Sequence, residues 1–251
     1  MIAARYLIVN ADDFGQSPGI NRGIVEAHEQ GIVTSASMMV RWPDAAEAAA
    51  YGAEHPELSL GLHIDLGEWA YRDETWVPLY EVVALDETDA ITDEITRQLA
   101  RFRGLVRRDP SHIDSHQHVH LREPVRSVVV ATARRLGVPL RGCSSEIRYC
   151  GNFYGQTAEG SPLPEAISIK ALIKVILELP PGITELGCHP GQGNDLVTMY
   201  GAERAEEVKV LCDPRVRRAL SDMGAHLCSF TNFAGRAASA PSQVQKHDVY
   251  T

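Results

Sequence analysis

Apolar and polar positions along this chain switch repeatedly between two periods, and the switches lay out a series of strands and helices. Tyr6 to Ala11 is apolar throughout except for Asn10, the pattern of a parallel strand covered on both faces, and it stops at Asp12-Asp13-Phe14-Gly15. Ser17-Pro18 is a helix-start signal; Ile20, Ile24 and Ala27 then recur at helical spacing until Gly31 closes the helix. Thr34 to Val40 predicts a second strand, the alanine-rich Pro43 to Glu54 a second helix, and Ser59 to Leu66 a third strand. From Gly67 to Asp86 no period is clear, so a long loop carrying Trp69, Tyr71, Trp76 and Tyr80 is expected. Ile91, Ile95, Leu99, Phe102 and Val106 mark an amphipathic helix leading into His112-Ile113-Asp114-Ser115-His116-Gln117-His118-Val119-His120. Read as an extended segment, that stretch puts His112, Asp114, His116, His118 and His120 on one face.

The second half continues the alternation. Val125, Val128, Val129 and Ala133 predict a helix stopped at Gly137, followed by a short strand at Val138-Pro139-Leu140 and a loop from Cys143 to Pro164. Glu165 to Leu179 reads as a helix, and Thr184 to Cys188 as a strand that delivers His189-Pro190-Gly191. One or two helices interrupted at Asp213-Pro214 fill Glu203 to Met223, and Ala225 to Phe230 is the last strand. Residues 1–233 are expected to form one barrel domain, with 234–251 a weakly ordered tail. Strands alternating with helices throughout describe a parallel α/β sheet or barrel, whose working residues collect at the C-terminal ends of strands.

Composition narrows the partners. Hydrophobic residues at 44% and charged residues at 23% are ordinary for a folded globular chain, and 251 residues suffice for a full core. A formal charge of -9, with basic residues clustered only as short arginine pairs, argues against nucleic acid. No apolar run approaches the roughly 20 residues of a membrane span, and Met1 leads directly into the first strand, so a cytoplasmic protein is expected. Five scattered cysteines without a CxxC suit reduced thiols, although a bridge from Cys143 to Cys150 stays open.

Burying four histidines and a carboxylate within nine residues demands partners, so a metal or a hydrogen-bonded polar site is the natural host. Asp13, His63 and His116 come from three separate strand ends, the way a metal site is assembled on a barrel rim. One carboxylate and two imidazoles leave coordination positions open for water and substrate. Asp12, beside that set, could take a proton from water; His189, at another strand tip, could return one to a leaving group. Cys188 is not its thiol partner, since adjacent strand residues face opposite ways. Aromatic side chains in the 67–86 segment suit stacking on a sugar as well as packing on the core.

The motifs Asn10-Ala11-Asp12-Asp13-Phe14-Gly15, Gly61-Leu62-His63, His112 to His120 and His189-Pro190-Gly191 occur in order across the chain, and together they resemble those of the YdjC-like carbohydrate deacetylases. The resemblance implies a deformed (β/α) barrel and one divalent ion, magnesium or zinc foremost, with cobalt or manganese also acceptable to the donors. It implies hydrolysis of the N-acetyl group of an amino sugar or oligosaccharide, releasing acetate. Carried over, Asp13, His63 and His116 become metal ligands, Asp12 the general base and His189 the candidate acid. Asp114 is expected to orient an imidazole, His118 and His120 to touch substrate or support the ligands, and Trp69, Tyr71 and Trp76 to bind sugar. His28, His55, His226 and His247 match no motif and are expected on the surface or in packing. Gln117 and Gln192 depart from the family pattern at places that could alter substrate choice. Rival readings are a phosphoester or cyclic-amide hydrolase on the same scaffold, and a non-catalytic sugar- or metal-binding protein. The partner is a small N-acetylated sugar, and a homodimer is allowed.

Overall fold

A computed structural model describes residues 4–193 and 195–233. The expected tail at 234–251, with His247, lies outside the described residues. The chain runs β1 (Arg5–Phe14), α1 (Pro18–Glu29), β2 (Ser35–Met38), α2 (Ala45–Glu54), β3 (Ser59–Ile64), β4 (Gly67–Arg72), β5 (Thr75–Glu81), α3 (Thr88–Val106), β6 (Ile113–Ser115), α4 (Val125–Leu136), β7 (Ile147–Cys150), α5 (Ile169–Leu177), β8 (Gly182–Cys188), α6 (Glu203–Leu211), α7 (Pro214–Met223) and β9 (Ala225–Leu227). Seven strands form one parallel sheet in the order β6-β3-β2-β1-β8-β7, with β9 joining β1 beside its first residues. The sheet curls into a deformed (β/α) barrel, and an isolated parallel bridge from Ile113 to Leu140 extends its β6 edge.

Central strand β1 is buried from Leu7 onward because both faces are covered, one by helices and the other by the barrel interior, which explains its near-continuous apolar run before Asp12. Ser17 caps α1 by accepting a hydrogen bond from the Ile20 N–H, and Pro18 opens the helix. Asp213-Pro214 does divide α6 from α7, with the Asp213 carboxylate accepting from the Arg215 N–H. All five cysteines are free thiols. No helix among the described residues is long and apolar enough to cross a membrane.

Four sequence expectations are corrected. The 67–86 segment is not a long loop: β4 and β5 pair antiparallel as a hairpin, with Tyr71 opposite Trp76. Its two-residue turn, Asp73-Glu74, has both residues at positive φ, 49° and 61°, the geometry that matches hairpin twist. The turn carries no glycine and Pro78 sits inside β5, so both familiar hairpin signals are obscured.

The histidine-rich stretch is a strand only from Ile113 to Ser115. It then turns through consecutive positive-φ residues Gln117 and His118 into a 3-10 turn over His116–Leu121. Ser115 drives the fold-back, since its Oγ accepts the His120 N–H at 3.0 Å and meets His120 Nδ1 at 2.6 Å. The five polar side chains therefore do not share one face. Finally, the expected 143–164 loop contains β7, and 138–140 contributes only the Leu140 bridge rather than a strand.

Candidate active site

The C-terminal end of β1 carries the centre of the site. Its pairing with β2 shifts register between Ala11 and Phe14, and Asp13 takes φ 70° there. This bulge breaks the strict alternation of side chains, so Asp12 and Asp13 both reach buried partners on the rim. Aspartate tolerates the left-handed region better than most residues because its short carboxylate bonds locally.

Asp13 is surrounded by cationic or potentially cationic groups. Its Oδ1 lies 3.3 Å from His63 Nε2 and 3.1 Å from His116 Nδ1, and its Oδ2 accepts from Arg204 Nη2 at 2.6 Å. Each of the three residues Asp13, His63 and His116 offers a donor atom within 4.8 Å of the others, and all three are buried. Burial alone would raise the Asp13 carboxyl, but Arg204 and His116 hold it well below the usual carboxylate range. Burial would likewise lower His63, yet the carboxylates of Asp114 and Asp12 push it up to about 9, and Asp13 raises His116 against the same penalty.

The donor set fits a divalent cation. His63 Nδ1 meets the Asp114 carboxylate at 2.8 Å and carries a proton there, so once the ring gives up its second proton to an incoming cation the Nε2 lone pair faces Asp13. His116 Nε2 is buried without a hydrogen-bond partner among the described residues, 3.6 Å from Glu68 Oε2. A second close set, Asp12, His63 and Asp114, fits less well, because Arg141 takes both Asp12 oxygens and the Asp114 oxygen that His63 does not use, whereas Arg204 leaves Asp13 Oδ1 to the two imidazoles.

That arginine is Arg141, just past the Leu140 bridge and 3% exposed. It grips Asp12 with both terminal nitrogens, at 2.6 and 2.7 Å, while Nη2 also meets Asp114 at 2.7 Å and Nε donates to Glu185 at 2.7 Å. Burial would raise Asp12, but Arg141 keeps its carboxyl below the ordinary value. Burial dominates at Glu185 and pushes it up to about 7 despite the same arginine. His189 Nε2 stands 3.7 Å from Asp12 Oδ2; burial lowers its imidazole to about 4, so it is neutral near pH 7.

The segment carrying His189 is seated on α1. A Cβ added to Gly23 would lie 2.4 Å from Gly191 Cα, and one on Gly19 1.9 Å from the Gln192 carbonyl oxygen, so helix and loop are in backbone contact. Gln192 N donates to Gly19 O at 2.8 Å, and His189 N donates to Glu207 Oε2 at 2.5 Å. Tyr200 donates to the other Glu207 oxygen and stacks on Tyr154, 4.5 Å between centroids, forming an aromatic wall beside the His189 ring.

Other expected site residues fall into distinct places. His120 is wholly buried, held between Ser115 Oγ and the Arg141 carbonyl, and positions the turn. His118 Nε2 meets the Tyr149 hydroxyl at 3.3 Å, while its buried Nδ1 has no hydrogen-bond partner among the described residues. His112 stacks on Phe230 at 3.8 Å and its Nε2 contacts Ser37 Oγ, the hydroxyl that also donates to Asp114, so it supports the site from behind Asp114. Cys188 is buried, and burial raises its thiol well above the ordinary value. Gln117 clamps the hairpin, exchanging hydrogen bonds of 2.9 and 2.8 Å with the backbone of Trp69. Trp69 and Tyr71 are half-buried and Trp76 is 48% exposed on the hairpin.

Sequence reasoning missed Arg141, Arg204, Glu68, Glu185 and Glu207. Two of them left a signal: Glu185 interrupts the buried run of β8, and Glu207 lies on α6 beside the buried Val208 and Leu211. A charge on an apolar face implies a buried partner.

The YdjC-like protein family model matches residues 6–222. The chain is 33% identical to a chitooligosaccharide deacetylase of Serratia marcescens, over 90% of this chain and 98% of that protein. It is also 33% identical to a carbohydrate deacetylase of Geobacillus stearothermophilus, over 91% and 98%. An Enterococcus faecalis V583 crystal structure named for cellobiose-phosphate cleavage superposes with a TM-score of 0.74 at 25% identity, covering 92% of this chain and 100% of that one.

Proposed function

The chain belongs to the YdjC-like family, and from that premise we propose that it is a divalent-metal-dependent carbohydrate N-deacetylase, hydrolysing the amide of an acetylated amino sugar to release acetate. The observation that carries this reading is the convergence of Asp13, His63 and His116 on the barrel rim, with an arginine-gripped carboxylate, Asp12, next to them. The relatives named as deacetylases support the same chemistry.

Asp13 Oδ1, His63 Nε2 and a ring nitrogen of His116 would hold the ion. When bound, it would polarise the acetyl carbonyl and acidify water. Asp12, kept ionised by Arg141, takes the proton of the attacking water at Oδ2. His189 is neutral at rest and acts as acid only once protonated within the cycle; its Nε2 is close enough to Asp12 Oδ2 to receive that proton after a small movement. Asp114 fixes the His63 tautomer. The β4–β5 hairpin, clamped by Gln117 and by Glu68 through Thr198 at 2.7 Å, presents Trp76 and Tyr71 to the sugar.

The test incubates the protein with N-acetylated amino sugars and their oligomers, measuring acetate before chelation, after it, and after return of zinc, magnesium, cobalt or manganese. Metal-restored acetate release is expected. Phosphate release or glycosidic cleavage of phosphorylated sugars, with no acetate from any substrate, would overturn the reading.

A further inference from the structure

We propose a second divalent-cation site, built by His28, His55 and Glu57 on the opposite rim of the barrel, that takes zinc and ties two helix ends together. It is independent of the deacetylase reading. His28 lies in the last turn of α1, His55 is the residue closing α2, and Glu57 precedes β3, so all three sit at the N-terminal ends of β2 and β3. Two helix C-termini converge there, and their partial negative charges favour a cation.

Each of the three residues offers a ligand atom within 4.8 Å of the other two. Glu57 Oε1 lies 3.1 Å from His55 Nδ1 and 3.6 Å from His28 Nε2. Ligands on a tetrahedral zinc with ~2.0 Å bonds stand ~3.3 Å apart, so these separations need little adjustment.

The tautomer of His28 is the second, independent observation. Its Nδ1 lies 2.8 Å from the Val33 carbonyl oxygen, a pure acceptor, so Nδ1 carries the proton. In the neutral ring Nε2 then turns a lone pair toward the Glu57 carboxylate, so either a proton or a metal ion sits between them, and the His55 nitrogen beside the same carboxylate oxygen gives a metal a third donor. A backbone carbonyl fixing one imidazole nitrogen while the other faces a carboxylate is how metal-binding histidines are oriented. The His55 ring is held in place as well, stacked on Tyr51 with centroids 4.1 Å apart and an interplanar angle of 19°. Two imidazoles and one carboxylate suit zinc among the common divalent ions and leave one position for water.

The test counts zinc by equilibrium dialysis at micromolar free metal, on the wild type, on E57Q and H55Q, and on H63A, which disables the Asp13 cluster. Two equivalents are expected for the wild type and one each for E57Q, H55Q and H63A, with the remaining equivalent in H63A lost in H63A/E57Q. Loss of one ligand should weaken this site on the order of 10–100-fold, at least the worth of an outer partner. Zinc should raise the unfolding temperature of H63A but not of H63A/E57Q, and E57Q should keep wild-type acetate release. Equal zinc stoichiometry in wild type and E57Q, or no zinc-dependent thermal shift in H63A, overturns the proposal whatever the outcome for acetate release.

Discussion

Replacing Arg141 tests the electrostatic core of the site. Three buried carboxylates, Asp12, Asp114 and Glu185, meet this one guanidinium. Substitution by methionine keeps the apolar stem and leaves them without their shared cation. Removing one partner of a buried ion pair typically costs ~3–5 kcal/mol, and the three contacts are coupled, so they do not add as three separate losses. At ~2–4 °C per kcal/mol for a chain of this size, R141M should melt about 6–20 °C below the wild type at pH 7. R141K should recover part of the loss, since an ammonium keeps the charge but not the fork.

The pH dependence adds a sign. In the wild type Arg141 depresses the Asp12 and Asp114 carboxyls, so their contribution is present above the ordinary carboxylate range and is lost as pH falls through the depressed values. Without Arg141, the strongest opposition to burial is gone, His63 alone opposes it at Asp12 and His63 with His112 at Asp114, and both carboxyls rise. Their contribution is then fully present at low pH and lost as pH rises. The gap between R141M and wild type should therefore widen from pH 5 to pH 7, as read by thermal unfolding at both. A gap below about 1 kcal/mol at pH 7, the size of an ordinary substitution, or one that does not change with pH, would refute the reasoning. E185Q serves as control and should cost little, because burial already pushes that carboxyl up to about 7.

Alanine at Asp13, His63 or His116 should lower bound metal on the rim, measured by atomic emission after dialysis; full occupancy in H116A would reassign the ligand. D12N should keep its metal yet lose on the order of 10²–10⁴-fold in kcat, the usual worth of a positioned base, and a substrate with a better leaving group should not rescue it. W76A should raise KM more than it lowers kcat if the exposed ring stacks on sugar, and unchanged kinetics would assign the ring to hairpin packing. Burial raises Glu207 from an ordinary value near 4.5 to about 8. Its contribution to stability is thus complete below 4.5 and disappears as pH rises through 8. E207Q should flatten the melting-temperature profile across that window, the Tyr200 hydroxyl turning to accept from the amide; parallel profiles would show that Glu207 does not titrate there.

The parallel strands were legible because burial on both faces leaves mainly apolar runs, clearest in β1, while β3 and β8 stay readable although Ser59, Thr184 and Glu185 break theirs. The residues at their tips, Asp12, Asp13, His63 and His189, were legible for the complementary reason that charge rarely ends such a run by chance. Arg141 was not, since a lone arginine between Leu140 and Gly142 has no local signature. Its meaning comes only from the three strands whose carboxylates converge on it. The His112–His120 stretch misled because alternation in sequence mimics a strand, while a single serine hydroxyl, Ser115, competes for the backbone and bends it. The hairpin escaped for want of an Asn-Gly turn.

A stabilisation campaign would find a trap in α1. Alanine outperforms glycine inside a helix by ~1 kcal/mol, so Gly19 and Gly23 would rank high as positions to fill. Yet the methyl group of G23A would have to occupy space that the Gly191 backbone already fills. The helix gains propensity only by pushing away the segment that begins at His189, so a sturdier α1 is bought with a displaced imidazole. Those two missing side chains act as a machined clearance between scaffold and active loop, and a screen for melting temperature alone would select against it.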